Sequence, residues 1–130
     1  WAEIPGFSKF GSYVSNASSD GPYVRCGFKP AFLMIKLAVT ENTRNWIIID
    51  NQRDKFNACT KKLAANSSVV ENDVGVTGDA TQNLVDFVSD GFKLRTGNGD
   101  TNGLAGYTYI YAAFAETPSF NLYGGQSNAR

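Results

Sequence analysis

Apolar residues in this chain come in short runs, separated by polar, glycine-rich stretches. "FSKFGSYV" (7–14) is aromatic and broken by Gly11, and "NASSDG" (16–21) follows it as a turn cluster. "PYVRCGF" (22–28) leads through Lys29-Pro30 to "AFLMIKLA" (31–38), a near-continuous apolar run of the kind a buried strand shows. Beyond the turn "NTRN", the stretch "WIIID" (46–50) is β-branched and aromatic, which suits a pleated surface. In "LVDFVSDGFKLRT" (84–96) two alternating arms flank Asp90-Gly91. That pattern predicts a hairpin with a type I′ turn, because both central residues of such a turn need φ > 0. Val85 and Phe87 then face one side, with Phe92 and Leu94 across the turn. "YTYIYAAFA" (107–115) is the last long strand, with Tyr107, Tyr109 and Tyr111 on one face and Thr108 and Ile110 on the other.

Residues 51–83 are polar and mostly irregular. A helical turn fits 58–65, but no amphipathic helix of about ten residues is visible. Loops of this length in a compact domain are usually functional or cover something. Regular short strands without a sustained helix predict an all-β fold: an antiparallel β-sandwich, jelly-roll-like, with a long irregular middle segment.

At 130 residues the chain is one domain by length. Its 12 basic and 12 acidic residues cancel, so no global field draws in nucleic acid or an anionic membrane. The apolar run at 31–39 carries Lys36 and falls far short of the ~18 residues a membrane span needs. The sequence starts on Trp1 rather than Met, which reads as a fragment or a processed piece. Two cysteines are too few for a disulfide scaffold. They are expected as reduced thiols, Cys26 half-buried beside a strand and Cys59 in a loop.

The absence of histidine removes Ser-His-Asp and Cys-His nucleophilic systems, imidazole bases and His metal ligands together. No phosphate-binding loop, dinucleotide fingerprint or nucleophile elbow occurs, so no cofactor is expected. "NGDTNG" (98–103) fits the opening of a calcium loop, but its twelfth position is Tyr109 where a bidentate Glu belongs, and no metal is assigned to it. The acids stand mostly in turns, where Asp is favoured for backbone reasons. Among the aromatics, alternation assigns Phe32, Trp46, Phe87, Phe92 and Phe114 to the core. Tyr23, Tyr107, Tyr109 and Tyr123 suit a surface that meets sugar or another subunit.

Several phrases in order carry a family resemblance: "DGP-x-V-x-C-GFKPAF-x-MIK", then "NWIIIDNQRD", "SDGFKL" and "YIYAAFAE-x-P". Together they resemble a β-rich domain of tail fibre and other receptor-binding proteins of tailed bacteriophages. The match is poorest over 57–82. The resemblance implies a non-enzymatic virion protein, assembled in the host cytoplasm, that attaches to a bacterial cell-surface glycan or protein. It also implies a homotrimer with other copies of the same chain, without nucleic acid or membrane insertion. Two other readings stand beside it: a structural spacer or trimerisation module of an extracellular fibre, and a polysaccharide depolymerase working with two carboxylates.

"WAE-I-P" at 1–5 repeats the phrase "FAE-T-P" at 114–118, so residues 1–5 read as a junction from an upstream domain and 6–130 as a single β-sandwich domain. Function is expected on loops that the strands hold in place. Two loops follow confident strands, "NQRDKFN" (51–57) and "GNGDTNG" (97–103). The first offers Arg53 as a planar donor fork and Asp54 as an acceptor. The second offers Asn98, Asp100 and Asn102, short polar side chains that suit sugar hydroxyls. The plainer alternative makes both ordinary turns, with Arg53 and Asp54 pairing at the surface.

Overall fold

A computed structural model describes residues 2–39, 44–71, 83–97 and 99–118. Eight strands run in chain order: β1 (Ser8–Val14), β2 (Tyr23–Arg25), β3 (Phe32–Leu37), β4 (Ile47–Asp50), β5 (Leu63–Ala64), β6 (Val85–Val88), β7 (Gly91–Leu94) and β8 (Thr108–Phe114). Among the described residues there is no helix. The strands form two antiparallel sheets, a five-stranded one in the order β1-β8-β3-β4-β5 and a three-stranded one in the order β2-β7-β6. The all-β expectation therefore holds. The helical turn expected over 58–65 is instead extended: Leu63 and Ala64 pair with β4, and Cys59 bridges to Val85.

The core lies between the sheets. Leu33, Ile35, Ile47, Ile49, Tyr109 and Ala113 face inward from the larger sheet, each fully buried. Phe92 from the smaller sheet meets them, edge-on to Tyr13 at 6.2 Å and to Tyr111 at 5.2 Å between ring centroids. Tyr13 and Tyr109, cross-strand partners in β1 and β8, stack with their planes 7° apart. The tyrosine face of β8 is thus core rather than a binding surface. Tyr109 satisfies its hydroxyl by donating to Gly99 O at 2.7 Å, and Tyr13 donates to Thr101 O. An aromatic body can be buried where its polar tip finds such a partner. Trp46, expected inside, is 38% exposed at the lip of β4. Tyr23 is exposed and donates to the Asp90 carboxylate. Cys26 and Cys59 are free thiols and both buried.

The β6–β7 hairpin has the expected arms: Val85 pairs with Leu94 and Phe87 with Phe92, all four buried. Its turn sits one residue earlier than expected. Val88 pairs with Gly91, so Ser89 and Asp90 are the central residues. Gly91 opens β7 and is absent from the positive-φ residues, which rules out the type I′ turn. What requires glycine there is space. Strand β2 crosses so closely that a Cβ on Gly91 would stand 2.1 Å from Val24 O.

The outer face of the larger sheet carries one apolar row, flanked by rows that include Ser8 and Asp50 on one side and Ser12 and Lys36 on the other. Phe10, Ala112, Met34, Ile48 and Leu63 stand in register as one row across all five strands. Beside that row Phe114 lies edge-on to Phe10 and Phe32, at 5.7 and 5.9 Å. Phe32 and Phe114 therefore belong to this outer cluster and not to the core between the sheets.

Candidate functional site

The chain leaves β4 through a tight turn that Asp50 builds. One Asp50 oxygen accepts from the backbone N–H groups of Gln52 (3.0 Å) and Arg53 (2.9 Å). This is the geometry by which Asp side chains mimic a backbone turn. The other oxygen accepts from Arg53 Nε at 2.6 Å and forms an ion pair with Nη2. Burial alone would raise the Asp50 pKa, but the Arg53 side-chain and backbone hydrogen bonds outweigh it and hold the carboxyl below its usual range. Arg53 Nη2 also donates to Ile48 O at 3.4 Å, and Nη1 stands 3.6 Å from Glu71. Nη1 is buried without a hydrogen bond. The guanidinium is consequently a latch on its own turn and not an open fork.

That turn forms one wall of an open cleft of about 480 Å³, within the range of small-molecule sites. Its lining includes Phe32, Asp50, Asn51, Gln52, Arg53 and Glu116. Strand β3 begins there, β4 ends there and β8 has just ended. Asn51 N–H donates to Ala31 O at 3.0 Å, which fixes the turn against the start of β3. Gln52 and Glu116 are exposed at the rim. An aromatic ring, two amides and carboxylates around one concavity suit a ligand with an apolar face and hydroxylated edges, because amides both donate and accept.

The remaining expected site residues are used differently. Asp54 turns inward and accepts from Thr60 N–H (2.7 Å) and Thr60 Oγ1 (2.9 Å), so it closes its own loop and does not pair with Arg53. Asn98 lies outside the described residues, as does Tyr123. Asn102 is fully buried. Its oxygen accepts from Asn16 N–H at 3.0 Å, and its Nδ2 faces Asn16 Oδ1, Ser18 O and Thr96 O, each at 2.9 Å. It is a clip between the 16–18 and 96–102 loops. Asp100 pairs with Lys62 at 2.6 Å and lines a smaller cavity of about 130 Å³ with Asn45, Ile47, Val69 and Val70.

The two expected loops therefore do not converge. Arg53 follows the last residue of β4, whereas the Asp100 cavity opens beside Ile47, the first residue of β4. Among the described residues no group of three His, Cys, Asp or Glu side chains gathers as metal ligands. Sequence reasoning missed Phe32, Asn51, Gln52 and Glu116. The adjacent amides of "DNQR" were the available signal, since they directly follow a strand and open the turn.

Fold and site together define a two-sheet antiparallel domain with a shallow, mostly apolar cleft, rimmed by polar side chains, at its strand ends. The chain belongs to the family described as "Domain of unknown function (DUF7483)", which matches residues 1–118. Curated proteins and solved structures provide no match.

Proposed function

We propose that this chain is a non-enzymatic attachment module that recognises a bacterial cell-surface glycan, and that the cleft beside the Asp50–Arg53 turn is its binding site. The observation that carries the reading is the cleft itself: Phe32 and Ala115 give it apolar wall, and Asn51, Gln52 and Glu116 give it hydrogen-bonding groups. The Asp50–Arg53 latch holds that wall rigid before any ligand arrives, which lowers the ordering cost of binding. The phrases that resemble phage tail fibre domains supply the biological setting: a virion fibre, outside the cell, carrying several copies of the chain. Linked copies turn weak single sites into firm adhesion.

The test is a glycan array probed with the wild-type chain and with a Gln52→Ala, Glu116→Ala variant of unchanged melting temperature. Wild-type binding to a bacterial surface glycan, lost in the variant, is the expected result. Equal binding by the variant moves the site elsewhere. Release of reducing ends from capsular polysaccharide overturns the non-enzymatic reading.

A further inference from the structure

The cleft beside the Asp50–Arg53 turn is one-sided in charge. Its lining holds two carboxylates, Asp50 and Glu116, and a single cationic side chain, Arg53. These groups are not equally open to a ligand. Arg53 Nε and Nη2 are held by Asp50, and Nη2 also reaches Ile48 O. Nη1 stands 3.6 Å from Glu71 and is buried, so a molecule in the cleft does not reach it. One guanidinium thus answers two carboxylates, Asp50 in the wall and Glu71 behind it.

Glu116 is left over. It is exposed at the rim, and no described residue gives it a hydrogen bond or an ion pair. The other polar side chains of the lining, Asn51 and Gln52, carry no charge. A ligand in the cleft therefore meets a field of one sign. The chain as a whole has no net charge, so no long-range pull on anions offsets that local field.

The consequence depends on what the sugar carries. A free ammonium gains a charge-assisted hydrogen bond to the Glu116 carboxylate, one of the stronger kinds. A carboxylate or phosphate meets Glu116 with no cation to answer it. Like charges about 6 Å apart in wet surroundings weaken binding roughly three- to tenfold. We propose that the cleft sorts glycans by charge: it takes sugars with a free amine ahead of uncharged sugars, and turns away uronates and phosphorylated sugars. This rests on the attachment reading of the same cleft and adds the class of sugar to it.

Matched probes on one array test it. They are glucosamine, glucose and glucuronate in the same linkage, and the corresponding galactose series, measured at about pH 6 and low salt, where amines keep their proton. The expected order within a series is amine, neutral, acid, with the acid at least about threefold below the neutral sugar. Across the rest of the array the bound glycans are expected to lack acidic groups. Glu116→Gln keeps the length of the side chain and removes its charge, and it should bring the members of a series together. Added salt should narrow the order in the wild type and leave the variant unmoved. An acidic glycan as the best binder, or an order that Glu116→Gln leaves intact, overturns the charge proposal while the attachment reading stands. An array on which nothing binds overturns both.

Discussion

Val24 O lies 2.1 Å from where a Cβ on Gly91 would stand. The two residues belong to neighbouring strands of the smaller sheet, and Asp90 O binds the next two N–H groups after β2, those of Cys26 and Gly27, at 2.7 and 2.9 Å. Strand β2 is therefore pinned on both sides of the contact. Gly91→Ala must push backbone against backbone, and overpacking of this kind costs about 1–3 kcal/mol. Denaturant unfolding should show that loss, with Gly91→Val at least as severe. A neutral Gly91→Ala would show that β2 moves freely.

Asn102 makes a second prediction, because its amide faces three acceptors and its oxygen one donor. Asn102→Asp replaces the amide donor by another acceptor in a fully buried place. A buried polar group left without its partner costs about 1–3 kcal/mol, and more when charged. The variant should unfold at lower denaturant than Asn102→Ala at neutral pH and recover part of the difference in acid, as the new carboxyl protonates. Equal midpoints for the two variants would deny the clip its role.

Asp50 sets the acid limit at its turn. Its folded pKa lies below the usual 3.8. Its contribution to stability is thus fully present above that usual value and is lost as pH falls through the lowered one. Asp50→Asn should cost about 1–3 kcal/mol at pH 7, the scale of a charge-assisted hydrogen bond. The gap between wild type and variant should close below about pH 4. Melting temperatures against pH give the comparison directly. A gap that is constant down to the acid limit would mean that the charge on Asp50 contributes nothing.

Cys26 and Cys59 should be silent thiols. Burial pushes both up to about 11, so both stay protonated at neutral pH and present no nucleophile. Labelling of the native chain should track unfolding, and denatured, unreduced protein should yield both thiols. The same shifts predict alkaline weakening: the neutral thiols favour the folded chain fully below the usual 9.0, and that advantage is lost as pH rises through about 11. Rapid native labelling at neutral pH would contradict this.

The strands were legible because apolar alternation and turn residues mark them locally: β1, β3, β4 and β8 all fall inside the predicted runs. Gly91 shows where local reading stops. Its sequence context suggests a turn conformation, but the reason for glycine is the passage of β2, some 66 positions earlier in the chain (91 minus 25, from the Arg25–Gly91 pairing). The tyrosines of β8 show the same limit. Nothing near Tyr109 announces that Gly99 O will receive its hydroxyl, so a buried tyrosine and a surface one look alike in sequence. In the candidate loops, residue type pointed to chemistry while position decided it. Asn102 and Asp54 have the polar groups a sugar needs, and both spend them on the protein's own backbone.

The placement of β8 sets the order of events during synthesis. The last strand among the described residues is not at an edge of the larger sheet but between β1 and β3, joined to both along nearly its whole length. Until residues 108–114 leave the ribosome, β1 has no neighbour in the sheet, and the inner faces of both strands lack their tyrosine layer. The nascent chain must wait for this segment and then close contacts spanning about a hundred residues, the kind of topology that folds in milliseconds to seconds. Through that wait the edge of β3 that β8 will occupy is unpaired, and this interval is when the chain is most open to pairing with the wrong strand.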